Sequence, residues 1–234
     1  MTSTALLQNR QPTLRLGGLA MIAGALMIAV FRFAHGDLPA ADAGAALHFI
    51  NHHPFYAGVH LATVFGVLLW TAGIVNLTDT LTHPTAAALG RLARAAALIG
   101  AAVFITDFTI DGVTGQDLAH AYASAAPADQ PQLEHAAQTA FAMLRGTSLV
   151  SIAILWAVPL MLLSPALRRD GYPSWLTWVG LLSGALSFAA AVALLFQPEL
   201  FPGVLLYGLL ASIVMPLWSI ALGLTMWRQA RMTS

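Results

Sequence analysis

The sequence predicts an all-α fold, a six-span transmembrane helical bundle, and three observations carry that prediction. Apolar residues fill 58% of the 234 positions and charged residues only 9%, with a mean hydropathy of +0.75. A soluble domain carries about 25% charged residues, so this chain lacks the polar surface to face water on all sides. Six apolar stretches reach the roughly 20 residues that a spanning helix requires. All ten basic residues are Arg, and eight of them fall at one set of stretch ends.

The expected spans run near Leu16–Ala34, Ala57–Leu77, Leu89–Gly112, Gln138–Leu163, Pro173–Phe196 and Gly203–Trp227. The first could be read as a cleaved signal peptide, with Ala40 and Ala41 at the cleavage site. Its apolar run exceeds the usual 7–15 residues, and Arg32 and His35 follow directly, so an uncleaved helix is the better reading. Pro54 stands near the start of the second span, and Pro173 and Pro202 flank the starts of the fifth and sixth, where a missing N–H is tolerated. Pro159 and Pro216 fall inside the fourth and sixth and should kink them.

Sidedness follows from the arginines. Arg10, Arg15, Arg91, Arg94, Arg168, Arg169, Arg228 and Arg231 mark the cytoplasmic ends under the positive-inside rule. Asp37, Asp42, Asp107, Asp111, Asp117, Asp129, Glu134 and Glu199 gather at the opposite ends. Both termini are therefore expected in the cytoplasm of a cell bounded by an inner membrane. Outer loops are expected at about 35–56, 113–137 and 197–202. Tyr172, Trp175, Trp178 and Trp227 suit an inner aromatic belt, and Tyr56 and Tyr207 an outer one. The whole chain, 1–234, reads as a single membrane domain whose first protein-independent partner is the lipid bilayer.

Related stretches recur in the outward-going helices: Gly24-Ala-Leu-Met-Ile-Ala-Val-Phe31, Ala97-Leu-Ile-Gly-Ala-Ala-Val-Phe104 and Gly184-Ala-Leu-Ser-Phe-Ala-Ala-Ala-Val192. Each returning helix carries a Leu-Trp pair: Leu69-Trp70, Leu155-Trp156 and Leu217-Trp218. Three repeated helical hairpins would produce this pattern, and so would alanine- and leucine-rich composition alone. Gly17, Gly18, Gly24, Gly100, Gly180 and Gly184 let helices approach closely in lipid, which favours a tight bundle.

Ionisable residues inside a span are costly and are functional candidates by default. Asp107 and Asp111 stand four residues apart and are expected on one face of the third helix, among Thr106, Thr109 and Thr114. Arg145, at similar depth in the fourth helix, is expected to pair with Asp107, and Arg32 with Asp37 or Asp111. Such a bridge could serve helix register alone or orient a ligand. Four histidines crowd one outer segment: His48, His52, His53 and His60. The His48–His52 spacing can hold one ion from a single helical face. His53, Tyr56 and His60 form a stripe leading into the second span. Imidazole with carboxylate suits Zn, Fe or Mn, so a divalent metal ion is the candidate cofactor. Its candidate ligands are His60, Asp107 and Asp111, followed by His48, His52 and His53. The candidate ligand-binding set is Asp107, Asp111, Arg145, His60 and Tyr56.

Several classes are excluded. Zero Cys removes disulfides, thiolate metal sites and cysteine nucleophiles. There is no phosphate loop or nucleophile elbow, and the thinly spread arginines make no nucleic-acid patch. The inner two-thirds of the spans carry no charge beyond the boundary arginines, which leaves no ionisable pathway through the membrane.

The run Gly36-Asp37-Leu-Pro-Ala-Ala-Asp42, followed by a short amphipathic helix over Ala43–Asn51 and then a tight bundle, resembles a group of uncharacterised bacterial six-helix inner-membrane proteins. The resemblance spans most of the chain. It implies a bacterial inner-membrane setting and transfers no activity.

Three functions remain open on the sequence. The leading one is binding, or assistance in transport, of a small ligand from the outer side. A metal-dependent enzyme using His60, Asp107 and Asp111 is the second, with a bound ion activating water. The third is a non-catalytic subunit that packs against a membrane complex or a second copy of the chain. The 113–137 loop, with Pro127 and Pro131, is expected to have little apolar surface to bury beyond a short helix or two, and to lie over the pocket mouth as a mobile lid.

Overall fold

Chains this rich in Ala, Leu and Gly satisfy their backbone polar groups most cheaply as helices, the one open-ended structure that lipid tolerates. The computed structural model bears this out, and it describes residues 3–36, 38–39, 41–197, 200 and 209–232. Every regular element among them is helical. Helix α1 covers Ser3–His35, α2 Ala43–His52, α3 Tyr56–Asp79 and α4 Pro84–Thr109. A π-turn at Ile110–Thr114 joins α4 to α5, Gly115–Ser124. Helix α6, Gln130–Ile152, runs through a second π-turn, Ala153–Ala157, into α7, Val158–Arg169. Helix α8 covers Ser174–Phe196, and a third π-turn, Leu210–Val214, leads into α9, Met215–Met232.

Among the described residues, five helical stretches are long and apolar enough to cross a membrane: Arg10–His35, Tyr56–Asp79, Pro84–Ser124, Gln130–Arg169 and Ser174–Phe196. The protein is thus a multi-pass membrane protein by helix length and hydropathy. The sixth expected span, 203–227, begins outside the described residues, and its inner part is helical through α9. Asp37, Glu199, Pro202 and Tyr207 also lie outside them.

The in-span prolines show how the helices absorb a missing N–H. Pro159 and Pro216 each follow a π-turn, and the residue four before each, Leu155 and Ser212, lies within that turn. The wider turn relieves the clash between a proline ring and the carbonyl four residues back.

The arginine-rich ends meet at one face. Asp170, just past α7, accepts the Thr82 and His83 N–H groups at 2.8 and 2.9 Å and the Thr82 hydroxyl at 3.0 Å. Arg10 of α1 approaches its other oxygen at 3.6 Å. Burial pushes the Tyr172 hydroxyl beside it above the ordinary phenol range, with Asp170 adding to the effect.

Close helix approach rests on glycine. A Cβ at Gly24 would stand 2.4 Å from the Trp70 nitrogen, and one at Gly100 2.4 Å from the Leu155 nitrogen. These two contacts join α1 to α3, and α4 to the π-turn before α7, in like fashion. The third expected hairpin differs, because α9 packs mainly against α1 and only lightly against α8. The Leu-Trp pairs also diverge. The Trp70 indole donates to the Ser219 hydroxyl, the Trp218 indole donates to the Leu176 carbonyl, and Trp156 packs on Phe104.

The acid-rich end of the bundle carries more helix than the expected loop. Residues 113–124 continue α4 as helix, and α6 begins at Gln130, leaving only a short turn between them. The physical reason is amphipathicity that the prolines obscured. Ala119 of α5 and Ala137, Phe141 and Leu144 of α6 bury against Ala46, Leu47 and Ile50 of α2 and against Tyr56. Pro131 stands in the first turn of α6, where it starts a helix without breaking it. The Tyr122 hydroxyl donates to Glu134 at 2.7 Å and ties α5 to α6. The result is a packed helical cap with its own apolar core, in place of a lid of loop.

Candidate functional site

The end of α1, the start of α3 and the π-turn after α4 converge beneath this cap. His60, 2% exposed, projects from the second turn of α3. Its Nδ1 lies 2.8 Å from the Tyr56 carbonyl oxygen. A carbonyl only accepts, so this nitrogen carries the hydrogen and donates. The Nε2 on the far side of the ring stands 3.1 Å from Asp111 Oδ2. Asp111's other oxygen, Oδ1, accepts the Tyr56 hydroxyl at 2.9 Å.

His35, the last residue of α1, completes the group. Its Nδ1 donates to the Gly36 carbonyl at 2.9 Å, and its Nε2 stands 4.0 Å from the same Asp111 Oδ2. The two imidazoles cross edge-on with centroids 4.8 Å apart. One ligand atom from each of His35, His60 and Asp111 lies within 4.8 Å of the others. His60 is closed off from solvent, whereas the side chains of His35 and Asp111 keep 17% and 20% of their surface exposed.

Local sequence explains the placement. Gly112 follows Asp111 inside the π-turn, and a Cβ there would stand 2.6 Å from the His60 Cβ. Only glycine lets this backbone lie against the imidazole. The Gln116 side chain accepts the Ala57 N–H at 3.2 Å, capping the start of α3 from α5. Thus the turn that carries Asp111 and the helix that carries His60 are joined on both sides of the site.

Asp107, one turn further in, faces a different neighbour. It is buried, and its oxygens take the hydroxyls of Thr147 and Ser148 from α6, the latter at 2.5 Å. The expected Arg145–Asp107 ion pair does not form, because Arg145 points outward from α6 and is exposed. Two hydroxyl donors occupy the carboxylate oxygens that a guanidinium was expected to take. Asp107 and Asp111 therefore take different partners, Asp107 the hydroxyls of α6 and Asp111, within the π-turn, the side chains of α1 and α3. The walls of the polar centre are accordingly the first, second and third spans, with the fourth serving Asp107.

The remaining histidines sit above. His48 and His52 stack at 4.1 Å on the exposed side of α2, with the His52 Nδ1 donating to the His48 carbonyl. His53 donates from Nε2 to the Ala34 carbonyl at 2.9 Å, and its ring stands 5.8 Å from that of Tyr56. Pro39, Ala45, His48, Phe49, His52, His53 and Pro54 line a shallow, open depression. His120 and His135 are exposed, and His83 caps the start of α4 at the other end of the bundle.

Of the residues singled out in the sequence, Tyr56, His60 and Asp111 come together. His48, His52 and His53 line the depression above, while Asp107 and Arg145 go elsewhere. Sequence reasoning passed over His35, Thr147 and Ser148. His35 did carry a signal, being a histidine that ends an apolar span on the acid-rich side. Compared with known proteins, the chain matches no family model, no curated protein and no solved structure.

Proposed function

We propose that this is an inner-membrane protein, with both termini in the cytoplasm, that binds a small ligand from the outer side. One observation carries the reading: a depression lined by three imidazoles lies directly outside the centre formed by Tyr56, His60 and Asp111. His53 links the two levels through its contact with Tyr56. A polar centre of this kind inside a span is expensive, and expense without a ligand-facing purpose is uncommon.

The orientation rests on the arginine asymmetry, which puts the centre on the non-cytoplasmic side. Passage through the membrane is not part of the reading, because no charged residue continues inward from Asp107. A receptor, a carrier-associated binder or an enzyme that works at the outer surface all begin with this binding step.

The test is a thermal-shift screen of detergent-solubilised protein against panels of divalent cations, short carboxylates, phosphates and amines. At least one class should stabilise the wild type and fail to stabilise His60→Ala and Asp111→Asn. A screen in which every stabiliser acts equally on wild type and variants, or in which none acts, contradicts the reading.

A further inference from the structure

We propose that His35 Nε2, His60 Nε2 and Asp111 Oδ2 bind one divalent first-row metal ion, with Zn²⁺ the first expectation. This inference rests on reading the outer polar centre as the ligand site, and names the ligand's chemical class.

The hydrogen bonds around the centre point to a cation. Both Nδ1 atoms donate to backbone carbonyls, of Tyr56 at 2.8 Å and of Gly36 at 2.9 Å. In a neutral imidazole the other nitrogen then carries a lone pair. Two such lone-pair nitrogens are thus directed at one carboxylate oxygen, at 3.1 and 4.0 Å. Three electron-rich atoms facing one another repel unless positive charge lies among them. A metal ion supplies it without any proton on Nε2.

The spacing suits coordination. Ligand atoms at about 2.0–2.2 Å from one ion stand roughly 3–4 Å apart. The two nitrogen–oxygen separations already lie in that range, and all three ligand atoms lie within 4.8 Å of one another, so loading draws the group closer together. The surrounding contacts match those that orient metal ligands. Each imidazole gives the N–H of the nitrogen facing away from the centre to a carbonyl, and Tyr56 holds the carboxylate oxygen not facing the centre. Two His and one carboxylate, without thiolate, suit Zn²⁺, Fe²⁺ or Mn²⁺. Three protein ligands leave a position for water or a bound molecule, as in open metal sites. That position lies toward the exposed edges of His35 and Asp111.

The His48–His52 pair is the competing metal site, because its spacing also permits coordination. The competition is decided by support. Those two rings stack on an exposed helix face with no carboxylate contact among the described residues, whereas His60 is buried, held at Nδ1 and set beside a carboxylate.

The experiment is isothermal titration of chelator-stripped, full-length protein in detergent with Zn²⁺ and with Co²⁺, followed by metal analysis after desalting. One ion per chain is expected. His35→Ala and Asp111→Asn should each weaken binding by more than about tenfold, and Tyr56→Phe, which removes a supporting contact, should weaken it less. His120→Ala should leave it unchanged. The Co²⁺ absorption bands should change in Asp111→Asn even where affinity is retained in part, which keeps the test informative if His35→Ala folds poorly. Absence of binding to the wild type overturns the proposal. So does binding that survives both ligand substitutions and is lost in His48→Ala. If Zn²⁺ and Co²⁺ fail while another compound class stabilises the protein in a His60-dependent manner, the metal inference falls and the ligand-site reading stands. If every class fails, both fall.

Discussion

His60 and Asp111, 51 residues apart in the chain, meet with Nε2 and Oδ2 3.1 Å apart. The contact joins α3 to the π-turn that ends α4, and its partners on either side, Tyr56 and His35, come from a helix start and a helix end. Three helix termini thus define one centre. The centre therefore lies at the end of the bundle opposite the arginine-rich face, and the Gly36 carbonyl just past α1 receives the His35 N–H there.

Tyr56→Phe should separate the supporting contact from the packing. The ring is fully buried and its hydroxyl donates to Asp111. Phe keeps the apolar bulk and strands the Oδ1 acceptor, so unfolding stability in detergent should fall by about 1–3 kcal/mol. A change indistinguishable from zero would show that Asp111 finds another donor or does not hold this orientation.

Asp107 and Arg145 should behave as independent residues. Asp107→Asn and Arg145→Gln are expected to combine additively within about 0.5 kcal/mol. Thr147→Val with Ser148→Ala should destabilise the protein through Asp107, because both donors to a buried carboxylate are then gone. Strong coupling between Asp107 and Arg145 in thermal unfolding would restore the ion pair and contradict the hydroxyl arrangement.

Much of the fold was legible because lipid permits few choices. Apolar length set the spans, and arginine placement set the common face that Asp170 then ties together. What escaped was the outer cap. Pro127 and Pro131 suggested a loop, yet Ala119, Ala137 and Phe141 carry a buried stripe whose partner, α2, lies far away in sequence. The site was half legible for a similar reason. His60 and Asp111 stood out as ionisable groups in spans. A π-turn cannot be read from Ile-Asp-Gly-Val-Thr, so Asp107 was placed with Asp111 by regular helix spacing. His35 looked like a boundary residue because only tertiary packing brings the end of α1 to α3.

Glycine contacts give a clean contrast between neighbouring helices. Gly100→Ala would push a Cβ into the Leu155 backbone, and its cost should reach about 1–3 kcal/mol. Gly146→Ala meets nothing within 4 Å and should be neutral or slightly stabilising. Equal effects at the two positions, measured by thermal unfolding, would mean that α4 does not lie against the turn before α7.

Topology can be read directly in a chain with no cysteine. Single cysteines at Ser3, Ser124 and Ser234, labelled on intact cells with an impermeant thiol reagent, should react only at Ser124. Reaction of either terminal position from outside would reverse the orientation and place the His60–Asp111 centre on the cytoplasmic side.

The most direct measurement is nitrogen NMR of the histidine rings in ¹⁵N-histidine-labelled protein loaded with Zn²⁺, with His35→Ala and His60→Ala used to assign the signals. His35 and His60 should each show a hydrogen on Nδ1 and a metal-shifted Nε2 without one, while His120 and His135 keep the signals of solvated imidazoles. A hydrogen on Nε2 of either His35 or His60 under zinc saturation would contradict the metal centre, and would leave the pair of rings as an ordinary hydrogen-bonded partner of Asp111.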